Sequence, residues 1–99
     1  MSRLAELNKL EDYLKEHGIE YERIDRVDIG YCIERHQISV PSHAKKEWDA
    51  ICQPGSYGYE EGLLEIYGSL VDRAKYDDTD SVRGFLTAKD VIKRIKATG

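Results

Sequence analysis

Apolar residues recur at helical spacing near each end of the chain. The first consists of leucines at near-helical spacing: Leu4, Leu7, Leu10 and Leu14. Ser2 can cap the start of this helix, and Gly18 can end it in a left-handed conformation. The second pattern begins at Thr87, where Asp90 three residues later completes the sequence signature of a capping box. The sequence therefore predicts a helix near each end.

Three segments between these helices have the patterns of strands: residues 19–27, 32–40 and 47–53. In the last two, apolar and polar residues alternate, which predicts an antiparallel hairpin with one buried face and one face in water. The predicted buried face consists of Cys32, His36, Ile38, Val40, Trp48, Ala50 and Cys52.

The apolar residues after this hairpin follow a helical spacing, which predicts a further helix over residues 59–71: Leu63, Leu64, Tyr67, Leu70 and Val71. The polar segment 72–84 is predicted to be a loop. The resulting fold class is α+β: a helix, then a three-stranded antiparallel sheet, then two helices packed on one sheet face. We expect one domain over residues 1–99.

Composition excludes several classes of protein. Apolar residues make up 40% of the chain and charged residues 34%, which is typical of a folded domain. No run is apolar enough for a signal peptide or a membrane span, so we expect a cytoplasmic protein with free thiols. The net charge of −4 disfavours nonspecific binding to nucleic acid and allows docking on a basic partner.

The strongest candidate for a ligand site is the stretch "ICQPGSYGYEEG", residues 51–62. Glycine-rich backbone at a helix start can hold a phosphate, and tyrosine rings can stack on a base. We expect a nucleotide-like or other small anionic ligand, with these binding residues: Gly55, Ser56, Tyr57, Gly58, Tyr59, Glu60, Arg35, His36 and Trp48. The alternative is purely structural, because Pro54-Gly55 can end a strand and Ser56 can cap a helix. The spacing is not that of a Walker loop, and Glu60 would repel an anion.

Two further groups of residues suggest other chemistry. Cys32, His36 and Cys52 fall on one face of the predicted hairpin and have the side chains of a zinc or thiol site. They lack a CxxC knuckle and a fourth ligand, so buried structural residues are the alternative. A cluster of carboxylates in the polar loop is suited to a basic protein partner: Asp77, Asp78 and Asp80. No catalytic signature is present, and we expect neither an enzyme nor a bound cofactor or metal.

Two segments, "WDAICQPGSYGYEEGLLE" and "GFLTAKDVIKRI", carry a resemblance that spans most of the chain. The sequence resembles small, mostly uncharacterised proteins encoded by bacteriophages and prophages of Firmicutes. This resemblance implies a host-defence antagonist that acts by occupancy, either sequestering a nucleotide signal or clamping a host defence protein. It implies no catalytic residues. A homo-oligomer would allow two chains to close a site together.

Overall fold

The structure is a computed structural model that describes residues 3–71 and 82–98. Within these ranges two α-helices enclose a run of five strands along the chain. The elements are α1 (Ala5–Glu16), β1 (Glu22–Asp28), β2 (Ile33–Val40), β3 (Trp48–Ile51), a 3₁₀ helix (Tyr59–Glu61), β4 (Leu64–Gly68), β5 (Val82–Leu86) and α2 (Ala88–Thr98). Neither helix has the length and apolar character needed to cross a bilayer.

The sheet is an antiparallel meander whose spatial order is the chain order, β1-β2-β3-β4-β5. Ile38, Ala50 and Ile66 are register partners across its centre, so they point to the same face. That face packs against leucines of α1 and against Val91 of α2. The core therefore lies between one face of the sheet and both helices, as expected for an α+β domain.

The prediction of a three-stranded sheet followed by two helices is wrong. The sheet has five strands, and a single α-helix follows it in the described residues. The predicted helix over residues 59–71 is a three-residue 3₁₀ helix and then β4. Leu64 and Ile66 face the core while Glu65 and Tyr67 point away, so the same residues also fit the strand period. Gly68, at φ +103°, contacts the backbone of Glu47, a close approach that excludes a side chain.

The predicted polar loop 72–84 is also partly wrong, because Val82 already begins β5. Val82 pairs with Tyr67 and Leu86 pairs with Leu64, with a register shift between them. The predicted acidic partner surface at Asp77, Asp78 and Asp80 lies outside the described residues.

The helices near the two ends are confirmed. At the start of α2 the amide of Asp90 donates to Thr87 Oγ1 at 3.1 Å, and the amide of Thr87 donates to Asp90 Oδ2 at 3.0 Å. This is the predicted capping box, and the bond from the Thr87 amide lowers the pKa of Asp90. Ser2, the predicted cap of α1, lies outside the described residues. The amide of Ala88 donates to the Glu6 carboxylate at 2.8 Å, which ties the two helices together.

The face of the sheet that the helices leave uncovered is more buried than its polar sequence predicts. Gln37, Ser39 and Asp49 are all buried there. The turn after β2 supplies partners, since His43 Nδ1 lies 2.7 Å from Ser39 Oγ and Lys46 Nζ donates to Asp49 at 3.0 Å. Gln37 in turn donates to Asp49 at 2.7 Å. Each of these three buried side chains is thus hydrogen-bonded, which offsets the cost of removing it from water.

Candidate functional site

The glycine-rich loop between β3 and β4 folds largely on itself. Ser56 Oγ donates to the carbonyl of Gln53 at 2.7 Å and accepts from the Gln53 amide at 3.0 Å. The Ser56 amide also donates to the Gln53 carbonyl, and the Tyr59 amide donates to the Ser56 carbonyl. The Tyr57 amide donates to the Glu65 carboxylate at 2.9 Å. The amides of Ser56, Tyr57 and Tyr59 are therefore committed inside the protein, and the predicted α-helix start is replaced by a 3₁₀ turn.

Glycines let this loop lie directly against β5. A Cβ on Gly58, which has φ +99°, would stand 2.9 Å from Leu63 Cβ and 3.1 Å from Phe85 Cα. A Cβ on Gly84 would collide with Tyr57 Cβ. The amide of Phe85 donates to the carbonyl of Tyr57 at 3.2 Å, so loop and strand are joined backbone to backbone. The glycines thereby fix where the side chains of Tyr57 and Phe85 emerge.

Tyr57 and Phe85 form an exposed aromatic pair at this junction. Their ring centroids lie 6.4 Å apart at an interplanar angle of 25°, which is an offset stack. Tyr57 is 59% exposed and Phe85 is 58% exposed. The backbone of Phe85 has φ +59°, a left-handed conformation that is uncommon and strained for a bulky residue. Strain of this kind concentrates at functional sites, so the pair is the leading candidate surface.

Cationic groups stand beside the aromatic pair. One cavity of about 340 Å³ is lined by Tyr57, Val82, Arg83, Gly84 and Phe85. A neighbouring cavity of about 290 Å³ shares Arg83 and Phe85 with it and continues to Lys93 on α2. Lys89, Lys93 and Lys96 lie on one exposed side of α2, at helical spacing. An anion next to the aromatic pair would meet the positive charges of Arg83 on β5 and Lys93 on α2, while the Asp90 carboxylate also lines the second cavity.

A separate ionic cluster lies on the other side of the loop, around His36. His36 Nδ1 lies 2.7 Å from Asp25 Oδ1, and His36 Nε2 lies 2.9 Å from Glu34 Oε2. Tyr59 donates its hydroxyl to the same Glu34 oxygen at 3.3 Å, and the guanidinium carbon of Arg3 stands 5.3 Å from the Tyr59 ring centroid. Hydrogen bonds within the chain thus link His36 to Asp25 and, through Glu34, to Tyr59, which is the arrangement of a structural network.

Burial and charge shift the pKa values in this cluster. Burial would raise the pKa of Asp25, but hydrogen bonds from His36 and Arg23 outweigh it and leave that pKa lowered. The pKa of the Tyr59 hydroxyl is raised by burial and by the nearby Glu34 carboxylate. Both shifts favour the forms in which Asp25 accepts and Tyr59 donates.

The two cysteines are far from equivalent, although the sequence predicts them on one face. Cys32 is exposed at the β1–β2 turn, whereas Cys52 is buried and donates its thiol to the carbonyl of Arg3 at 3.3 Å. Burial, followed by the charge of Glu34, raises the pKa of the Cys52 thiol, which disfavours the nucleophilic thiolate. In residues 3–71 and 82–98, no three His, Cys, Asp or Glu side chains are grouped to hold a metal ion.

The predicted ligand residues are thus divided among separate places. Tyr57 joins the aromatic pair, while Tyr59 and His36 meet through Glu34, and Glu60 lies 3.7 Å from Arg3. Two of the others lie apart from both groups. Trp48 is buried in the core, and Arg35 is exposed and donates to Gln37.

Sequence reasoning missed Phe85, Arg83 and Glu34. Phe85 and Arg83 stand in "VRGFL", where Gly84 between two large side chains could have signalled a close backbone approach within a strand. Glu34 carries no local signal, because its role depends on the strand register that places it near Tyr59. Its importance appears only in three dimensions.

Neither family models, curated proteins nor solved structures provide a match to the chain.

Proposed function

We propose that this chain is a binding protein, without enzymatic activity, that holds a planar anionic ligand of the nucleotide type against the Tyr57–Phe85 pair. The observation that carries the proposal is the exposed Phe85 ring, held in a left-handed backbone conformation and stacked on Tyr57. Folding alone gains little from an apolar ring in water on a strained backbone. A role in stacking on a ligand base would account for the strained backbone at this position.

Cations beside the pair supply the second half of the recognition. Arg83 and Phe85 line both cavities, and Lys93 lines one of them. A base on the aromatic rings would leave its phosphates within reach of these groups. The predicted phosphate cradle of Gly55, Ser56 and Gly58 is then replaced by side-chain cations, and the glycines serve to position the rings.

The biological role that we propose is sequestration by occupancy in the cytoplasm of a bacterial host. The resemblance to phage proteins suggests that the ligand is a nucleotide signal of a host defence. In a host with such a defence, expression of the chain should raise phage yield, and the variant Tyr57→Ala should lose this effect.

Binding is tested by calorimetric titration of the four ribonucleoside triphosphates, each alone, and of inorganic phosphate. We expect at least one nucleotide to bind more tightly than phosphate. The variant Tyr57→Ala should weaken that binding by about 5- to 150-fold, since stacking on one aromatic ring contributes about 1–3 kcal/mol.

The matched control is Tyr31→Ala, which removes another exposed tyrosine, 79% exposed, at the far end of the β1–β2 hairpin. It should leave the affinity unchanged. Equal losses in both variants, or no nucleotide binding at millimolar concentration, would refute the proposal.

A further inference from the structure

The outer edge of β1 is open. β1 is a seven-residue strand at one side of the sheet, and β2 is its only partner strand in the described part of the chain. An open edge presents unpaired backbone N–H and C=O groups and is a template for a further strand. Its seven residues are long enough to receive one.

The tip of the β1–β2 hairpin is apolar and exposed. β3 pairs only with residues 37–40 of β2, so the distal half of the hairpin extends beyond the rest of the sheet. Around its turn Val27 is 64% exposed and Ile29 is 88% exposed, and Tyr31 lies close by. Clustered exposed apolar residues on a small protein indicate an interaction surface.

We propose that β1 pairs antiparallel with β1 of a second copy, about a two-fold axis at Ile24, and joins two sheets edge to edge. Facing residues of an antiparallel pair point to the same face of the sheet, so a two-fold axis can only pass through a residue position. Five such positions lie within two residues of the middle of the strand: Arg23, Ile24, Asp25, Arg26 and Val27. An axis at Val27 would pair only residues 26–28 of β1, whereas an axis at Ile24 pairs residues 22–26. With the other three positions, a charged residue would face its own copy, which is destabilising.

The axis at Ile24 makes the charges complementary. Ile24 then faces Ile24 of the partner subunit, Arg23 faces Asp25 of the partner subunit, and Glu22 faces Arg26 of the partner subunit. Arg23 and Asp25 already form an ion pair within one strand at 2.8 Å. The pairing would place two such ion pairs side by side with alternating charge, an arrangement that favours this register.

The same register covers the apolar tip. One step beyond Arg26, Val27 faces the partner's Tyr21, and Ile29 faces the partner's Ile19. Tyr21 and Ile19 are partly buried and packed against the core. Ile19, Glu20 and Tyr21 all precede β1, so these contacts form only where the intermolecular ladder continues past Glu22, and the same continuation sets Asp28 opposite Glu20 of the partner subunit. The exposed residues of each tip thus gain an apolar neighbour on the other chain.

The test is the mass in solution by sedimentation velocity across micromolar concentrations. The chain should sediment with twice its 11.4 kDa mass. The variant Arg26→Glu should be monomeric, because the introduced carboxylate would face Glu22 of the partner subunit. Within its own chain Arg26 faces Arg35 and lies 3.8 Å from Asp28, so the reversal gains one exposed ion pair and loses another, each of which contributes little to stability. The double variant Glu22→Arg with Arg26→Glu should recover the dimer.

The matched control is Lys45→Glu, the same charge reversal on an exposed residue of the β2–β3 turn. It should remain dimeric, and circular dichroism should show that all variants are folded. A monomeric parent chain, a dimeric single variant Arg26→Glu, or a double variant that stays monomeric would each overturn the proposal. This inference does not depend on the proposed ligand, since the pairing edge and the aromatic pair lie at opposite sides of the sheet.

Discussion

Tyr57 and Tyr59 lie two residues apart in one loop and have opposite surroundings. Tyr59 is partly buried, donates its hydroxyl to Glu34, and has Arg3 over its ring. Tyr57 is exposed and touches Phe85, itself exposed on a strained backbone. The first tyrosine completes a closed network, whereas the second presents ring surface to solvent.

If the proposed function holds, this contrast separates residues that stabilise the fold from residues that bind the ligand. On the Tyr59 side, Tyr59 and His36 are both hydrogen-bonded to Glu34, so changes there should alter the free energy of unfolding. The Tyr57 side leaves aromatic surface in water, so changes there should alter ligand affinity and spare the fold. The glycines between and beside the two tyrosines hold both sides in place.

Of the substitutions near the two tyrosines, Gly58→Ala should lower the free energy of unfolding most, because it disturbs the surroundings of both Tyr57 and Tyr59. An alanine there is strained at φ +99° and would crowd Leu63 and Phe85. Left-handed strain of about 1–2 kcal/mol and overpacking of about 1–3 kcal/mol should together lower the free energy of unfolding by about 2–5 kcal/mol. Urea denaturation measures this loss.

Gly55→Ala is its matched control. Gly55 has nearly the same φ, +92°, but no atom lies within 4 Å of the position of its missing Cβ. Only the backbone strain remains, so the loss should be about 1–2 kcal/mol. Equal losses in the two variants would show that the loop does not pack on β5 as described.

A smaller effect should follow from Tyr59→Phe, which removes the hydroxyl donated to Glu34. Loss of one hydrogen bond should lower the free energy of unfolding by about 1 kcal/mol. Tyr57→Phe makes the same chemical change on the exposed side and should leave stability unaltered. If Tyr57→Phe proved the more destabilising of the two, the hydroxyl of Tyr57 and not that of Tyr59 would be the one that stabilises the fold.

The smallest expected effect is on the pH dependence of the free energy of unfolding. The pKa of Asp25 is lowered from its ordinary value of 3.8, so the folded state holds this proton less tightly than the unfolded chain. The stability that Asp25 contributes is therefore present above that value and lost as the pH falls through the lowered pKa. Asp25→Asn should make the free energy of unfolding fall less steeply below about pH 5, measured by urea denaturation at several pH values. An Asp25→Asn variant whose free energy of unfolding falls as steeply as that of the parent chain would contradict this prediction.

Local signals predicted α1, the β2–β3 hairpin and α2 because each has one dominant period and a clear end. The capping box of Thr87 and Asp90 is contained within four residues, so it could be identified without knowledge of packing. Residues 59–71 fit both periods. Residues 64–68 form a strand because they pair with the edge of β3. In this pairing Trp48 lies opposite Gly68 and Ile51 lies opposite Glu65.

The candidate site was predictable only in part. The glycines and Tyr57 could be identified as candidates from the sequence alone. Phe85, which stacks on Tyr57, could not, because it comes near Tyr57 only when β5 pairs with β4. Arg35 and His36 are neighbours in sequence and point to opposite faces of one strand, so a list of neighbouring residues could not tell which belongs with the loop.

The most direct test of the central claim is a nuclear magnetic resonance titration of the labelled chain with the nucleotide that binds most tightly in the calorimetric assay. We predict shifts concentrated at Tyr57, Gly84 and Phe85, with smaller shifts at Lys93 on α2 and none at His36 or Glu34. Shifts confined to the cluster of His36, Glu34 and Tyr59 would contradict the account, because the closed side of the loop would then be the one that binds.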